Sequence, residues 1–450
     1  MSQPGLAGQL ARAAQAACAS SEAGSARVIR VEIPAPGLDP LAWLAAQPEQ
    51  KRGYWADRDG EREVALVGEA DELTGMEIEG YAAWSQALDL RLSQAVGEVR
   101  YYGGFRFGPW HPTDQSWRPF GAYRFILPRF EVMRRKGAET VLAMNMVREE
   151  GAPWPDPVVP NLPTGQAPYM PPALPSVLGR IYEPDDALWA TGVERALASM
   201  GSQALSKVVL ARRALLALSA PADSIALLHG IRHETGRCFQ FCGSHGAGIA
   251  FVGASPELLF RRQGLNLDSE ALAGTRPRGT SAVEDDRLEA ELRGSAKEAE
   301  EHRLVRDRIV RDLSAVSQSV ETDAGPAILK LGRVQHLRTA IRAKLKPGLC
   351  DAELLACLHP TPATAGEPVA AALQFLLEQE PFDRGWYAGP VGWVGRDAAE
   401  FAVALRCGLV VRSNLLLFAG AGIVPGSDAQ AEAQEIEAKL APFLRLLHVA

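Results

Sequence analysis

A chain of 450 residues is long enough for one large or two ordinary domains, and 47% hydrophobic with 22% charged residues is a globular composition. A formal net charge of −7 with no basic block argues against a nucleic-acid partner, and no apolar run nears the ~20 residues of a membrane span. Six cysteines are too few for a disulfide scaffold, and Cys238 and Cys242 in "CFQFC" lack a second pair to make a metal site. The opening "MSQPGLAGQLARAAQAACAS" carries Arg12 where the apolar core of a signal peptide would lie, so a cytoplasmic protein with reduced thiols is expected.

In chain order, "REVALVGEADEL" (62–73) and "VRYYGGFRF" (99–107) read as strands, the second broken by Gly103 and Gly104. Residues 152–175 contain nine prolines, which remove backbone donors and fix φ, so this stretch is neither a helix nor a central strand. It falls within a connection, 151–187, between an N-terminal part (1–150) and a larger part (188–450); the N-terminal part is expected to add strands to the same body. Beyond it, "LSKVVLARRALLAL", "GIAFVGASPELLFRR", "AEFAVALRCGLVV" and "NLLLFAGAGIVPG" are strand-like. "SAKEAEEHRLVRDRIVRDLSAV" (295–316) and "DAQAEAQEIEAKLAPFLRLL" (428–447) are helical by period and composition. Strands and helices do not alternate, which favours α+β over a doubly wound fold.

The candidate chemistry begins at "FVGASPELLF" (251–260), where one carboxylate, Glu257, stands in an otherwise apolar or small run. An unpartnered charge is costly in such a setting, so Glu257 faces water at a sheet edge, is paired, binds a metal, or is held neutral. On the 295–316 helix, Glu298, Glu301 and His302 share a stripe with Val305, Ile309, Leu313 and Val316, while Glu300, Arg303 and Arg311 supply the solvated side. Two carboxylates at i and i+3 on an inward face suit a hard cation such as Mg²⁺.

Glu435 and Lys439 are an i, i+4 pair that would ordinarily be a surface salt bridge. Before them "FAGAGIVPG" reads as a glycine-rich turn, suited to a carboxylate, with Ser427 and Asp428 as candidate N-caps. Lys207 heads a β-branched strand. Arg406 lies within an apolar strand, where arginine usually has an anionic partner. His336 in "VQHLRT" and His359 in the turn-rich "LHPTPATAG" read as satisfied core histidines.

Taken in order, "SKVVLAR", "GASPELL", "ALAGT", "SAKEAEEH", "VQHL", "LHPTPATAG", "FDRGWYAGPVGW", "ALR" and "FAGAGIVPGS…QEIEAKL" resemble the chorismate-utilising enzymes, over roughly residues 188–447. Within that family the likeness is greatest to the isochorismate synthases; the N-terminal part is similar more loosely and leans toward the menaquinone-type branch. The resemblance implies an α+β chorismate-binding fold, with large facing antiparallel sheets and helices outside. It implies Lys207 as the base that activates water for attack at C2 of chorismate, and Glu257 as the acid that protonates the departing C4 hydroxyl. It implies Mg²⁺ held by Glu301 and Glu435, with Glu298 auxiliary. Substrate contacts carry over to Gly274, Thr275, His336, Ala363, Thr364, Tyr387, Arg406, Gly420, Gly422 and Lys439, with backbone N–H groups around Gly420 and Gly422 helping to grip a carboxylate.

Three positions discriminate within the family. Lys207 stands where ammonia-using relatives carry glutamine, Ala273 where aminodeoxychorismate synthases often carry a nucleophilic lysine, and Ala363 where salicylate and anthranilate synthases usually carry threonine. The product expected is isochorismate, formed reversibly by a monomer or homodimer with no obligatory glutaminase subunit. Salicylate synthase is the alternative, and anthranilate synthase component I a more distant one. "GTRPRG" (274–279) is as much like the ammonia-using branch as the isochorismate branch, and "GRDAAEF" replaces a glycine-rich turn found in many relatives.

Overall fold

The computed structural model describes residues 5–20, 24–47, 51–76, 80–108, 114–159, 169–246 and 248–449. Part of the proline-rich connection, 160–168, lies outside them; of the rest, 152–159 and 169–175 carry no helix or strand. The fold is α+β: among the described residues 21 strands join into one hydrogen-bonded network with helices packed against it. All its pairings are antiparallel except a short parallel contact of Val28 and Ile29 with Ala95 and Val96.

The network divides into two runs. In the first, the strand Arg62–Gly75 pairs with Arg52–Ala56, which pairs with Phe239–Gly246, and pairing continues through Ile249–Ser255, Cys407–Val411 and Asn414–Ile423 to Lys207–Leu218. In the second, Arg100–Phe105 pairs with Pro390–Gly395, followed by Ala398–Val403, Leu258–Gln263, Asn266–Pro277 and Val334–Leu345. The strand Tyr123–Arg135 belongs to both. Along one edge it pairs with Arg62–Gly75 of the first run, and along the other its early residues pair with Arg100–Phe105 of the second and its later ones with Val141–Val147. N-terminal strands therefore sit inside ladders with C-terminal ones.

Two segments cross between the runs. "GIAFVGASPELLFRR" is not one strand but two, Ile249–Ser255 in the first run and Leu258–Gln263 in the second, with Pro256 and Glu257 at the crossing. Proline lacks the donor a ladder needs, which is why pairing stops there. "AEFAVALRCGLVV" likewise splits into Ala398–Val403 and Cys407–Val411. Arg406 lies in this second break at φ +45°, not inside a strand as the apolar run suggested.

Glycine was misread twice. The strand Arg100–Phe105 runs unbroken through Gly103 and Gly104. A Cβ on Gly103 would stand 1.9 Å from the Arg124 carbonyl oxygen, and one on Gly104 2.7 Å from that of Pro390, so these glycines permit close approach rather than end the strand. "FAGAGI" also belongs to a strand, Asn414–Ile423, and the turn comes only after it. Asp428 rather than Ser427 caps the last helix, Ala429–Leu446, accepting from the Ala431 N–H at 2.9 Å. The other long helix, Ala296–Val316, is capped by Ser295 and buries Glu298, His302, Val305, Ile309 and Leu313. That is the stripe the helical period marks, with Val316 only partly buried.

Candidate active site

A cavity of about 830 Å³ opens where the two runs and the two capped helices meet. Its wall includes Glu257, Gly274, Thr275, Glu298, Glu301, His336, Ala363, Thr364, Tyr387, Arg406, Gly420, Gly422, Glu435 and Lys439, every one a residue that the sequence had singled out. Lys207 lies directly behind this wall, 1% exposed, with its Nζ donating to Glu301 Oε1 at 2.8 Å.

Glu257 is 5% exposed, not an edge residue facing water. Its N–H donates to Ser255 Oγ at 3.2 Å and its carbonyl accepts from the Val403 N–H at 3.1 Å, while its carboxyl has no hydrogen-bond partner among the described residues. Burial pushes that carboxyl up to about 8, the charge of Glu270 adds to the rise, and Lys207 and Lys439 oppose it. At neutral pH Glu257 holds its proton.

Charge around the cavity is arranged in pairs. Glu298 Oε1 accepts from Arg276 at 2.6 Å and its other oxygen from the Thr275 N–H at 3.2 Å. Glu435 and Lys439 approach to 2.6 Å, and Lys439 also donates to the Gly420 carbonyl at 2.8 Å. Burial alone would raise the Glu435 carboxyl, but Lys439, Lys297 and Lys207 outweigh it and hold it low. Arg406 is different: its Nη2 lies 2.9 Å from His336 Nε2, it also meets the buried Cys238 thiol, and it has no carboxylate partner among the described residues. His336 completes a chain through Nδ1 to the Thr275 hydroxyl at 3.0 Å, and burial together with Arg406 keeps its ring neutral. An uncompensated guanidinium at a cavity wall is a seat for an anion. His359, by contrast, is a core histidine, 3.1 Å from the Phe107 carbonyl.

The glycines of 414–423 serve by having no side chain. A Cβ on Gly422 would lie 2.7 Å from Glu301 Oε1 and 3.2 Å from Lys207 Cε; one on Gly420 would lie 2.9 Å from the Tyr387 hydroxyl. Among the described residues no three metal-type side chains converge on one point. Mg²⁺ does not require that, because it keeps several waters and takes one or two carboxylates with substrate oxygens. The hard oxygens of Glu298, Glu301 and Glu435 on one wall, and the space left by Gly422 beside Glu301, fit such an ion.

Residues 12–448 match the family of chorismate binding enzymes. The chain belongs to that family. Isochorismate synthase MenF of Escherichia coli (strain K12) is 32% identical over 427 residues, 93% of this chain and 94% of that enzyme. The chloroplastic isochorismate synthase of Catharanthus roseus is 32% identical over 79% of this chain, which spans 63% of the plant enzyme. The solved structure of the menaquinone-specific isochorismate synthase MenF from Escherichia coli superposes with a TM-score of 0.83 at 28% identity, covering 98% of this chain and 99% of that one.

Sequence reasoning missed three charged residues around this site. Glu432, 2% exposed and 3.0 Å from Lys297 Nζ, precedes Glu435 by three residues, the spacing that flagged Glu298 and Glu301. Glu270 gave no such signal, since it follows Asp268 and Ser269 in the strand "NLDSEALAGTRP" and looks solvated. Arg58 gave no signal, since its partners are some 200 positions away in the chain.

Proposed function

We infer that the protein is an isochorismate synthase, which adds water at C2 of chorismate and releases the C4 hydroxyl as water, so that substrate and product are isomers. The observation that carries this reading is Glu257: a carboxyl with no partner among the described residues, protonated at neutral pH, at a cavity with Lys207 just behind its wall. Loss of hydroxide is slow unless its oxygen gains a proton, and Glu257 has one to give. Water attacks readily only if it loses a proton, and Lys207, held by Glu301, is the residue assigned to accept it. Arg406 and Lys439 offer cations for the substrate's two carboxylates, with Thr275 and His336 holding Arg406 in place. Mg²⁺, held by Glu301 and Glu435 with Glu298 beside them, supplies electrostatic stabilisation of substrate oxygens when bound. Lys207, Ala273 and Ala363 stand where ammonia-using and pyruvate-eliminating relatives carry other groups, which favours a hydroxyl transfer without a glutaminase subunit. The free cysteines suit the reducing cytoplasm.

Incubation of the purified protein with chorismate and Mg²⁺, followed by chromatography, tests this directly. Isochorismate is expected without added ammonia or glutamine, and EDTA abolishes turnover until Mg²⁺ is restored. Stoichiometric pyruvate would make it a salicylate synthase instead, and dependence on ammonium an anthranilate synthase. Glu301→Gln and Glu435→Gln are expected to stay folded and lose activity at limiting Mg²⁺; wild-type activity in both would remove these residues from the metal site.

A further inference from the structure

Arg58 sits in the tight turn between the strands Arg52–Ala56 and Arg62–Gly75, yet its side chain is buried and runs to the Pro256–Glu257 crossing. Its Nη1 donates to the Pro256 carbonyl at 2.6 Å. The same guanidinium grips Glu270 with two hydrogen bonds, at 2.5 and 2.9 Å. Glu270, on the strand Asn266–Pro277, is fully buried, also accepts from Arg338, and receives the Leu258 N–H at 3.1 Å. The peptide groups immediately before and after Glu257 are thus held by the two members of one ion pair. Ser255 and Val403 satisfy the N–H and C=O of Glu257 itself, so the ion pair serves the two backbone groups that flank it.

We propose that Arg58 and Glu270 are positioning residues for Glu257, clamping the peptides on either side of it and presenting a fixed negative charge to its carboxyl. The proposal rests on Glu257 being the general acid. Arg58 and Arg338 keep Glu270 ionised against its burial, and an ionised neighbour makes it harder for Glu257 to lose its proton. The other groups that Glu257 faces are Lys207 from Lys207–Leu218, Lys439 from Ala429–Leu446 and the Tyr387 hydroxyl; Arg406, His336, Glu298, Glu301 and Glu435 line the rest of the cavity. The lysines oppose Glu270, so the balance among the three decides when the acid is charged.

The test is the pH profile of kcat/KM for chorismate turnover, which reports the acid of the free enzyme. A general acid loses rate as pH rises through its pKa, so the wild-type alkaline limb is expected near the Glu257 value of about 8. Glu270→Gln removes the negative charge and leaves two arginines facing the site, so its limb is expected about one pH unit or more lower. Arg58→Lys keeps a cation but loses the bidentate grip and the geometry of the carbonyl bond; kcat is expected to fall about 10–100-fold with the limb unmoved. If Glu270→Gln alone does not fold, the double variant Arg58→Met with Glu270→Leu replaces the ion pair by apolar groups of similar size and is expected to fold. It should show both the lowered limb and the lower kcat. A limb at the wild-type position in the folded Glu270 variants, or wild-type kcat in Arg58→Lys, overturns the clamp. Glu257→Gln separates the two levels: if it turns over at the wild-type rate, the acid assignment itself is wrong, whereas a dead Glu257→Gln with an unmoved Glu270→Gln limb removes only the clamp.

Discussion

A buried carboxyl that keeps its proton couples folding to pH in the direction opposite to a salt-bridged one. In the unfolded chain Glu257 ionises near its ordinary 4.5, while in the folded chain it stays protonated up to about 8. The folded state therefore binds more protons between those values, and the stability present below about pH 4.5 is lost progressively as pH rises to about 8, at roughly 1.4 kcal/mol per pH unit for this one group. Glu257→Gln does not titrate, so its melting temperature is expected to exceed that of wild type by a margin that grows from pH 5 to pH 8. Calorimetry across that range checks it; a constant margin would mean that Glu257 is not a buried proton holder. Its kcat is expected to fall by about 10²–10⁴-fold, because the amide keeps the shape but has no acidic proton. This residue was legible because a carboxylate in an apolar run has few cheap explanations. Glu270, behind Asp268 and Ser269, and Arg58 were both silent, since a polar strand start and a charged turn look solvated until the fold shows where their side chains go.

The long helices were read almost to their ends because a 3.6-residue period and an N-cap are local properties. Glycine is not read so simply: it looks the same in sequence whether it ends a strand or lets another element come close. Gly103→Ala would drive a Cβ to 1.9 Å from a backbone oxygen of the neighbouring strand, which cannot swing away, so the ladder itself must open. A loss of about 1–3 kcal/mol or more is expected, read as a lowered melting temperature. Gly422→Ala meets the end of a flexible side chain instead, Glu301 Oε1 at 2.7 Å, with Lys207 Cε at 3.2 Å. That variant is expected to fold with a near-normal melting temperature but to lose turnover and require more Mg²⁺. If both substitutions cost stability equally and Gly422→Ala kept full activity, the space at Gly422 would belong to packing rather than to the site.

At the scale of the whole molecule, the site exists because the chain passes twice between two runs of strands, placing Glu257 at one crossing and Arg406 at the other. Sequence could order the motifs along the chain but not reveal these crossings, because hydrogen-bonded register between distant strands leaves no local trace. The same register makes the N-terminal part more than an appendage. Arg52–Ala56 is the ladder partner of Phe239–Gly246, Arg100–Phe105 that of Pro390–Gly395, and Arg58 reaches the peptide beside Glu257. A chain beginning after the proline-rich segment would expose the edges of both ladders and leave Glu270 with one fewer arginine. Unpaired edges of this length invite aggregation, and a buried carboxylate stripped of a partner is strongly destabilising. Residues 176–450 expressed alone are therefore expected to be insoluble or inactive, although they contain Lys207, Glu257 and every candidate metal ligand. Co-expression with residues 1–175 is expected to return soluble complex and chorismate turnover, because the missing strands can pair across a cut in a segment whose described parts contain no strand or helix. Full activity from the isolated C-terminal piece would show that the second run closes without Arg100–Phe105 and that the Glu257 crossing holds its shape without Arg58.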